Sequence, residues 1–447
     1  MNAQDHRTKL IAKARSAAER RSSTASAQSV VFHATPFDQL TQYRTLEKMR
    51  LASTIMGIEN PFFRNHAGRA SNRTVIAGRE VINFASYDYV GLNSDPRPLA
   101  AAHAALDRYG VSPSASRLVA GERPVHAELE AALARHYGTA AALVFVSGHA
   151  TNVASIGELM GEGDLILHDA YIHNSVQVGA RLSGAARRSF PHNDISALEA
   201  LLAENRLRAR NALIVVEGLY SMDGDTPPLA ELVALKRRYG CWLMVDEAHA
   251  LGVVGPRGRG SFEAAGVNPD DVDIWMGTLS KTLASSGGYV CGSAALIDIL
   301  KSNASAFVYS VGLAPALAAS ATAALGVLEA EPERVSRLQA NASLFLRLAA
   351  EAGLDTGLAE PYAVIPVMVG DSMLAAKLSE RMLARGVNAL PIIFPAVPMQ
   401  SARLRFFISS QHEESDIRTA VRIADEELSR LRQEDFHNRM PAHLLSI

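Results

Sequence analysis

Lys281 lies in the segment GTLSKTLASSGGY, residues 277–289, after the end of a predicted strand and among small residues. Small neighbours allow a flat, bulky group to approach the backbone closely. A lysine in such a place can form a Schiff base with an aldehyde, provided that its amine is deprotonated part of the time. Taken alone, the segment fits a solvated surface lysine better. A second residue is therefore needed to distinguish a Schiff-base lysine from a surface lysine.

Asp246 ends the apolar run of WLMVDEA, residues 242–248, and His249 follows three positions later. A buried carboxylate requires a partner, because burying an unpaired charge is costly. A protonated pyridine nitrogen is one such partner, and a ring held in that state draws electrons from a neighbouring carbanion. Lys281 and Asp246 together therefore predict pyridoxal 5'-phosphate as the cofactor. His249 would support the aspartate or the ring oxygen. The alternative for Asp246 is a strand-end residue that caps the next helix.

The same two segments also resemble parts of ATP-hydrolysing proteins. DEAH occurs in ATP-driven helicases, and GTLSKT is similar to the end of a phosphate-binding loop. That loop needs the pattern G-x-x-x-x-G-K-[ST], but Ser280 stands where its second glycine belongs. The acidic strand also precedes the lysine, which reverses the order found in such proteins. The spacing therefore disfavours a nucleotide hydrolase.

The segment VFVSGHATN, residues 144–152, predicts a strand that turns directly into a helix. The free N–H groups at a helix start, together with the helix dipole, bind phosphate. An ordinary strand–helix turn explains the segment equally well.

Three other side chains could complete a site around such a cofactor. His173 is a flat aromatic that could stack on a ring, and Ser221 could contact a ring oxygen. Arg405 could clamp a carboxylate with a pair of hydrogen bonds. A satisfied loop histidine, a turn serine and a surface salt bridge are the simpler alternatives. We expect no metal site, because His168 and His173 lack further ligands at suitable spacing.

Six short apolar runs alternate with helical stretches between about residues 100 and 315. This alternation predicts an α/β fold with a mostly parallel central sheet and helices on both faces. Ligands bind beyond the carboxyl ends of the strands in such sheets. The polar residues at the predicted strand ends are Ser147, His168, Asp169, Glu217, Asp246 and Thr278.

A chain of 447 residues is long enough for several coupled domains. A helix is expected over 37–57, a long helical linker over 316–350, and strands at 364–370 and 404–409. The expected domains are an N-terminal tail and helical segment (1–60), a small segment (61–100), a large cofactor-binding domain (101–315), a smaller α+β domain (316–435) and a tail (436–447).

The overall composition limits the classes of partner. The net charge of -2 and the pI near 6.7 do not favour nucleic acid or an anionic membrane. No apolar run reaches the roughly 18 residues that a bilayer span requires. Cys241 and Cys291 lie in apolar, strand-like stretches and are expected to be reduced, which favours the cytoplasm. The first 30 residues, rich in Arg, Ser and Ala, resemble a transit peptide or a disordered tail, and their acidic residues favour the tail.

Taken together, the motifs resemble the α-oxoamine synthases, which are fold-type I pyridoxal phosphate enzymes. The resemblance covers about residues 60–435, and the order of the motifs makes it specific. Within the family the chain is most similar to synthase domains of polyketide assembly lines, and Ser280 before the lysine also resembles serine palmitoyltransferase. The matching segments are NFASYDYVGL (83–92), SGHATN (147–152), HDAYIHNS (168–175), EGLYSMDGD (217–225), VDEAHALGVVGPRGRG (245–260), GTLSKT (277–282), YSVGLAP (309–315) and ARLRFFISS (402–410).

The resemblance implies a decarboxylative condensation of an amino acid with an acyl thioester, carried by coenzyme A or an acyl carrier protein. The products would be an α-amino ketone, carbon dioxide and a free thiol. It also implies a homodimer in which YSVGLAP reaches the neighbouring subunit's phosphate. The residue roles that it implies are cofactor attachment and proton transfer for Lys281, a bond to the ring nitrogen for Asp246, stacking for His173, ring-oxygen contacts for His249 and Ser221, phosphate contacts for Gly148, His149 and Thr278, and carboxylate binding for Arg405.

The sequence departs from the family pattern in two places. Asp88 stands where many members have Asn, so a carboxylate is expected near the substrate entrance. Val311 and Gly312 follow Ser310 where polar side chains are common, so phosphate contact there would come from Ser310 or from backbone such as that of Gly312. By resemblance, Ser116 lies beside the substrate α-carbon, where glycine-specific members tend to have Thr. The smaller Ser116 predicts alanine or serine over glycine.

Two other functions remain open at the level of the sequence. An aminotransferase would use the same cofactor but would need a keto acid as acceptor. A non-catalytic scaffold would bind a carrier protein through the N-terminal 60 residues. Release of carbon dioxide and thiol distinguishes the acyltransferase from both.

Overall fold

The computed structural model describes residues 8–9, 11–16, 33–398 and 400–436. The described residues up to Ile55 belong to one compact unit, and those from Met56 onwards form a second. Most of the predicted N-terminal tail and the C-terminal tail after residue 436 lie outside the described residues. Within the described part of the chain, no helix combines the length and apolarity that a membrane span requires.

Fourteen strands form three sheets within the described residues. The strands are β1 (His66–Ala67), β2 (Arg73–Ile76), β3 (Arg79–Asn83), β4 (Ala141–Phe145), β5 (Leu165–Asp169), β6 (Ala186–Phe190), β7 (Ala212–Glu217), β8 (Trp242–Asp246), β9 (Ile274–Thr278), β10 (Gly288–Gly292), β11 (Val364–Gly370), β12 (Val387–Asn388), β13 (Leu390–Ile392) and β14 (Ala402–Phe407).

The α-helices are numbered from Thr41. They are α1 (Thr41–Ile55), α2 (Pro96–Tyr109), α3 (Pro124–Tyr137), α4 (Gly148–Leu159), α5 (Asn174–Leu182), α6 (Ile195–Asn205), α7 (Leu229–Tyr239), α8 (Ser261–Ala265), α9 (Ala294–Asn303), α10 (Ser305–Val308), α11 (Pro315–Ala330), α12 (Glu333–Glu351), α13 (Ser372–Ala384) and α14 (Glu414–Gln433). In addition, residues 117–121 form a single π-helical turn.

The central sheet has seven strands in the order β4-β10-β9-β8-β7-β5-β6. Strands β5 to β9 pair in parallel, and β10 runs antiparallel to β9 and β4. The predicted mostly parallel sheet is therefore confirmed. The parallel strands end at one edge, which brings Asp169, Glu217, Asp246 and Thr278 to the same side of the molecule.

Alternate residues of the central strands enter two separate apolar cores, because successive side chains of a strand point to opposite faces. In β7, Ile214 and Val216 pack in one core, and Leu213 and Val215 pack in the other. Both faces are buried, which explains the nearly continuous apolar runs. Glu217 continues the second series and therefore points to the same face as Leu213 and Val215.

The described residues form two smaller sheets besides the central one. In the first, β3 pairs in parallel with β12, so the strands before residue 100 share a sheet with the C-terminal part of the chain. In the second, β14 lies between β11 and β13. Strand β11 has the bounds predicted for it, and β14 begins two residues earlier than predicted.

The prediction of a single helix over 316–350 is wrong in the number of helices. The segment forms two helices, α11 and α12, with Glu331 and Pro332 between them. Proline has no backbone N–H and its ring clashes with the carbonyl four residues before it, so the first helix ends there.

Candidate active site

Lys281 follows β9 in a turn that is fixed by its own hydrogen bonds. The backbone N–H of Ala284 donates to the Lys281 carbonyl at 2.9 Å, and the Thr282 hydroxyl donates to the Leu251 carbonyl at 2.7 Å. The Lys281 ammonium lies 5.5 Å from the centroid of the Tyr87 ring. This geometry holds a half-buried amine at the carboxyl edge of the sheet.

The charge of Lys281 is set mainly by burial. Loss of hydration lowers the pKa of its amine to about 8, although the carboxylates of Asp246 and Glu217 act in the opposite direction. The guanidinium of Arg405 lowers this pKa further. A lysine of this pKa is deprotonated for part of the time at neutral pH, which is what a nucleophilic or basic amine needs.

Asp246 ends β8 and is buried. Its Oδ2 accepts a hydrogen bond from Asn152 Nδ2 at 2.8 Å, and its Oδ1 accepts one from the Ala248 backbone N–H at 3.0 Å. Two donors therefore fix the orientation of the carboxylate. It retains acceptor capacity for a third, such as a protonated ring nitrogen.

Glu217 is the neighbour of Asp246 on the next strand, at the same register. Its Oε2 accepts the backbone N–H of Ser221 at 3.0 Å, and its Oε1 is buried without a partner in the described chain. Burial and the nearby Asp246 charge raise the pKa of Glu217 to about 8. Sequence reasoning found Glu217 as a strand-end residue but gave it no function.

Asn152 connects Asp246 to His173 through Ser175. An amide nitrogen, not an amide oxygen, must face a carboxylate, so Asn152 donates both to Asp246 and to Ser175 Oγ, the latter at 2.9 Å. Ser175 Oγ then has its own proton for His173 Nδ1, 2.7 Å away. The network therefore assigns Nδ1 of His173 as an acceptor.

The pKa of the His173 imidazole is lowered by burial, although Asp246 opposes the shift. A neutral ring with an accepting Nδ1 has its proton on Nε2. Asn152 and Ser175 belong to the motifs SGHATN and HDAYIHNS, but no pattern in those motifs indicates their role. Both partners of Asn152 are distant in the chain.

His249 contacts Tyr89, a residue that sequence reasoning missed. The Tyr89 hydroxyl lies 2.8 Å from His249 Nδ1, and both side chains are buried. Burial, with the nearby cations Lys281 and Arg405, holds the pKa of His249 well below its usual value. His249 is therefore a neutral imidazole, which can donate one hydrogen bond and accept another without adding charge to the site.

Helix α4 begins beside the Lys281 turn. Ser147 Oγ accepts the Ala150 N–H, while the N–H groups of Gly148 and His149 have no acceptor within the described chain. A Cβ added at Gly148 would lie 2.8 Å from Thr278 Oγ1, so only glycine allows this close approach. The result is a cradle of free N–H groups at a helix start, which fits a phosphate.

Thr278 borders this cradle but already has a partner. Its hydroxyl donates to the Gly287 carbonyl at 2.8 Å, and it accepts the Ser280 N–H at 3.2 Å. A hydroxyl has a single proton, so Thr278 has to rotate before it can donate to an anion.

Arg405 contacts one ring of an aromatic pair whose other ring contacts Lys281. Its guanidinium is 4.5 Å from the Phe407 ring centroid, and the Phe407 and Tyr87 centroids are 4.8 Å apart. Arg405 Nη1 donates to the Ser221 carbonyl at 2.8 Å, and its Nε is buried without a partner in the described chain. By contrast, Arg403 is bound to Asp223 at 2.6 Å. Of these two arginines, Arg405 has donors left for a substrate carboxylate.

Asp88 is bonded to the backbone of its own turn. Its Oδ1 accepts the N–H groups of Leu92 at 2.8 Å and Asn93 at 3.1 Å, and the side chain is buried. Burial raises the pKa of Asp88 to about 6. Short polar side chains satisfy nearby backbone groups in this way. The other oxygen, Oδ2, is buried without a partner in the described chain, and a role of Asp88 in substrate binding stays a prediction.

Gly312 and Ser310 belong to a segment that contacts the segment of Ser116. The Gly312 N–H donates to the Ala115 carbonyl at 3.1 Å, so it is not available to a phosphate, contrary to the expectation. A Cβ added at Gly312 would lie 2.9 Å from Arg117 Cγ. The segment of Ser310 therefore packs beside the segment of Ser116.

The comparisons with known proteins agree with this geometry. A family model described as aminotransferase class I and II matches residues 79–423. The 8-amino-7-oxononanoate synthase of Methylobacterium sp. (strain 4-46) is 48% identical over 340 residues, which are 76% of this chain and 85% of that protein. The relative from Geobacter sulfurreducens with the same name is 44% identical over 80% of this chain and 91% of its own length.

A solved structure gives the same result for the fold. Sphingomonas wittichii serine palmitoyltransferase superimposes with a TM-score of 0.84 at 30% identity, covering 89% of this chain and 99% of that one. The fold-type I architecture predicted from the sequence is thereby confirmed.

Proposed function

This chain belongs to the aminotransferase class I and II family and, within it, to the pyridoxal phosphate-dependent α-oxoamine synthases; from that premise we propose that it condenses a small amino acid with an acyl thioester. Carbon dioxide and a free thiol are released, and the product is an α-amino ketone. The carrier of the acyl group is coenzyme A or an acyl carrier protein.

The observation that carries the proposal is a lysine with a pKa of about 8 that faces two buried carboxylates beside a helix start with free N–H groups. The lysine amine suits an aldehyde, a buried carboxylate suits a pyridinium ring, and the free N–H groups suit a phosphate. Glu217 Oε1 and Arg405 Nε, both buried and without partners in the described chain, are further polar atoms available to bound molecules.

The cofactor, when bound, supplies an aldehyde for amines and a ring that accepts electrons from the substrate α-carbon. Asp246 would hold the ring nitrogen protonated, and Gly148 and His149 would bind the phosphate. His173 would stack on the ring. Lys281, partly deprotonated, would move the α-proton.

The remaining site residues orient the substrates. Arg405 would hold the amino-acid carboxylate with its free donors. The neutral His249 and Ser221 would contact the ring oxygen. Tyr87 beside Lys281 and the buried Phe407 beside Arg405 would offer ring faces to the bound substrate.

We propose a homodimer, with YSVGLAP near the neighbouring site. Exposed apolar side chains in that region support this, because large apolar surfaces of a soluble protein usually face a partner. Tyr309 is 87% exposed and Val119 is 81% exposed. Sedimentation of the holoenzyme would show the dimer.

Action in the cytoplasm is supported by the buried free thiols of Cys241 and Cys291.

The test is to supply alanine, serine or glycine with a set of acyl thioesters and to measure thiol, carbon dioxide and product mass together. The expected product has the mass of both substrates less carbon dioxide and the thiol. Formation of a keto acid without carbon dioxide would instead establish the aminotransferase, which uses the same lysine.

Arg405→Ala is expected to weaken amino-acid binding and to leave cofactor loading unchanged. A charged bidentate contact contributes on the order of 2–3 kcal/mol, or roughly 30- to 150-fold in Kd. The measurement is a spectroscopic titration of the holoenzyme with the amino acid. Arg405→Lys is the matched variant, because it keeps the charge and loses the planar pair of donors. Its amino-acid affinity should fall between that of the wild type and that of Arg405→Ala. Equal affinity in all three proteins would mean that another group binds the carboxylate.

Ser116→Thr is expected to shift the amino-acid preference toward glycine. Threonine adds a methyl group beside the substrate α-carbon, and one methyl is worth about 1–3 kcal/mol in discrimination. The backbone of Ser116, at φ -65 and ψ 149, accepts a β-branched residue. The measurement is the ratio of kcat/KM for alanine to that for glycine. An unchanged ratio in the variant, or product from glycine alone in the wild type, would refute the steric argument.

The names of the relatives agree with a substrate that has a side chain. 8-Amino-7-oxononanoate carries its amine on a carbon that also bears a methyl group, as alanine does, and serine palmitoyltransferase is named for serine. Glycine would place no carbon at that position.

A further inference from the structure

His192 lies between two carboxylates. Its Nδ1 is 3.0 Å from Asp169 Oδ1, and its Nε2 is 2.8 Å from Asp225 Oδ2. Ionised carboxylates only accept hydrogen bonds, so both ring nitrogens have to donate. The ring that satisfies both contacts is the imidazolium. Its side chain is 10% exposed and that of Asp169 is fully buried, so solvent screens this charge cluster weakly.

The three charged groups come from three chain segments at the carboxyl edge of the central sheet. Asp169 ends β5, His192 follows β6, and Asp225 lies in the loop after β7. Asn193 strengthens the connection: its N–H donates to Asp169 Oδ2 at 2.9 Å, and its Nδ2 donates to Asp225 Oδ2 at 3.0 Å. The loops after β5 and β7 are therefore joined through the segment after β6.

Two tyrosines enclose the His192 ring. Tyr171 stacks on it with centroids 4.3 Å apart and planes at 20°, and Tyr220 meets it edge-on at 4.5 Å and 88°. Tyr171 precedes His173 by two residues, and Tyr220 immediately precedes Ser221. A stacked tyrosine face also favours a cation over a neutral ring.

We propose that His192 is a positioning residue for the amino-acid site. The imidazolium of His192 holds the loop of His173 against the loop of Ser221. The inference deepens the proposed function and rests on it. Because the Ser221 carbonyl accepts a hydrogen bond from Arg405, a displaced Ser221 loop would also move the guanidinium that binds the substrate carboxylate.

The charged state of His192 has a defined pH range. The hydrogen bonds and charges of Asp169 and Asp225 outweigh burial and raise the pKa of His192 to about 9, from 6.5 in an unfolded chain. A raised histidine pKa stabilises the fold fully below about pH 6.5, and this contribution is lost as the pH rises through about 9. The groups facing the ring are Asp169, Tyr171, Tyr220 and Asp225.

The charge of His192 can be measured independently of the reaction, by NMR of the holoenzyme labelled with 15N-histidine. The signals of His192 are identified by their absence in His192→Asn. Both ring nitrogens are expected to be protonated at pH 7 and to titrate near pH 9. Asp225→Asn, which keeps the shape of the cluster, is expected to lower this midpoint. A neutral His192 ring at pH 7 would overturn the proposal.

The positioning role is tested by amino-acid kinetics. His192→Asn is expected to lower kcat/KM for the amino acid by on the order of 10- to 100-fold, mainly through KM, with normal cofactor loading. His103→Asn on the exposed face of α2 is the control and should change neither value. Asp225→Asn serves if His192→Asn does not fold, with a smaller rise in KM. Wild-type KM in the His192 or Asp225 variant refutes the inference. Failure of the wild type to use any amino acid refutes the proposed function itself.

Discussion

Lys281→Ala is expected to lower kcat by on the order of 10³-fold or more, because the variant loses both the amine that binds the cofactor aldehyde and the proposed base. Burial lowers the pKa of the Lys281 amine to about 8, which suits it to both roles. The measurement is thiol release with saturating alanine and acyl thioester.

The matched control is Lys301→Ala, which removes an exposed lysine at the end of α9. This variant should retain wild-type activity. A Lys281→Ala protein that folds, binds pyridoxal phosphate and works within tenfold of the wild type would contradict the assignment.

Asp246→Asn is expected to retain cofactor and shape but to slow removal of the α-proton by on the order of 10²- to 10⁴-fold. An amide cannot hold a ring nitrogen protonated. It also has one acceptor oxygen for the two donors, Asn152 and Ala248, that the carboxylate satisfies. The measurement is exchange of the amino-acid α-hydrogen with deuterium from solvent.

The same variant changes the acidity of Lys281. Asp246 raises the pKa of that amine, so its neutralisation should lower the pKa. Lys281 acts as a base only when it is deprotonated, so the acidic limb of the pH profile should move to lower pH. Asp298→Asn, on the exposed face of α9, controls for a change in net charge. Near-normal exchange in Asp246→Asn would show that the ring nitrogen is held elsewhere.

The sequence predicts the large features because they depend on local patterns. Apolar runs that alternate with helical stretches predict the parallel sheet, and the strand ends place Asp246 and Glu217 at one edge. The SGHATN segment predicts the strand and the helix start of α4. Each of these inferences needs only the periodicity and the end of a single element.

The missed contacts join residues that are far apart in the chain. Asn152 reaches Asp246 across 94 positions, and Tyr89 reaches His249 across 160. Tertiary packing fixes these pairs, and no periodicity encodes them. His192 was missed for the same reason, since its two carboxylates lie on other loops.

The resemblance gave Asp88 and Gly312 roles in binding substrate or cofactor. In the structure, polar groups of both residues form hydrogen bonds with nearby backbone. Asp88 bonds to the backbone of its own turn, and Gly312 donates to Ala115. A motif match identifies a position in the chain, but the side chain or N–H at that position still bonds to its nearest available partner.

The most direct test of the central assignment is borohydride reduction of the wild-type holoenzyme followed by peptide mapping. Reduction should link pyridoxal phosphate covalently to the peptide that contains Lys281, with the label absent from Lys281→Ala. Recovery of the label on a different lysine of the wild-type protein would contradict the account of this active site.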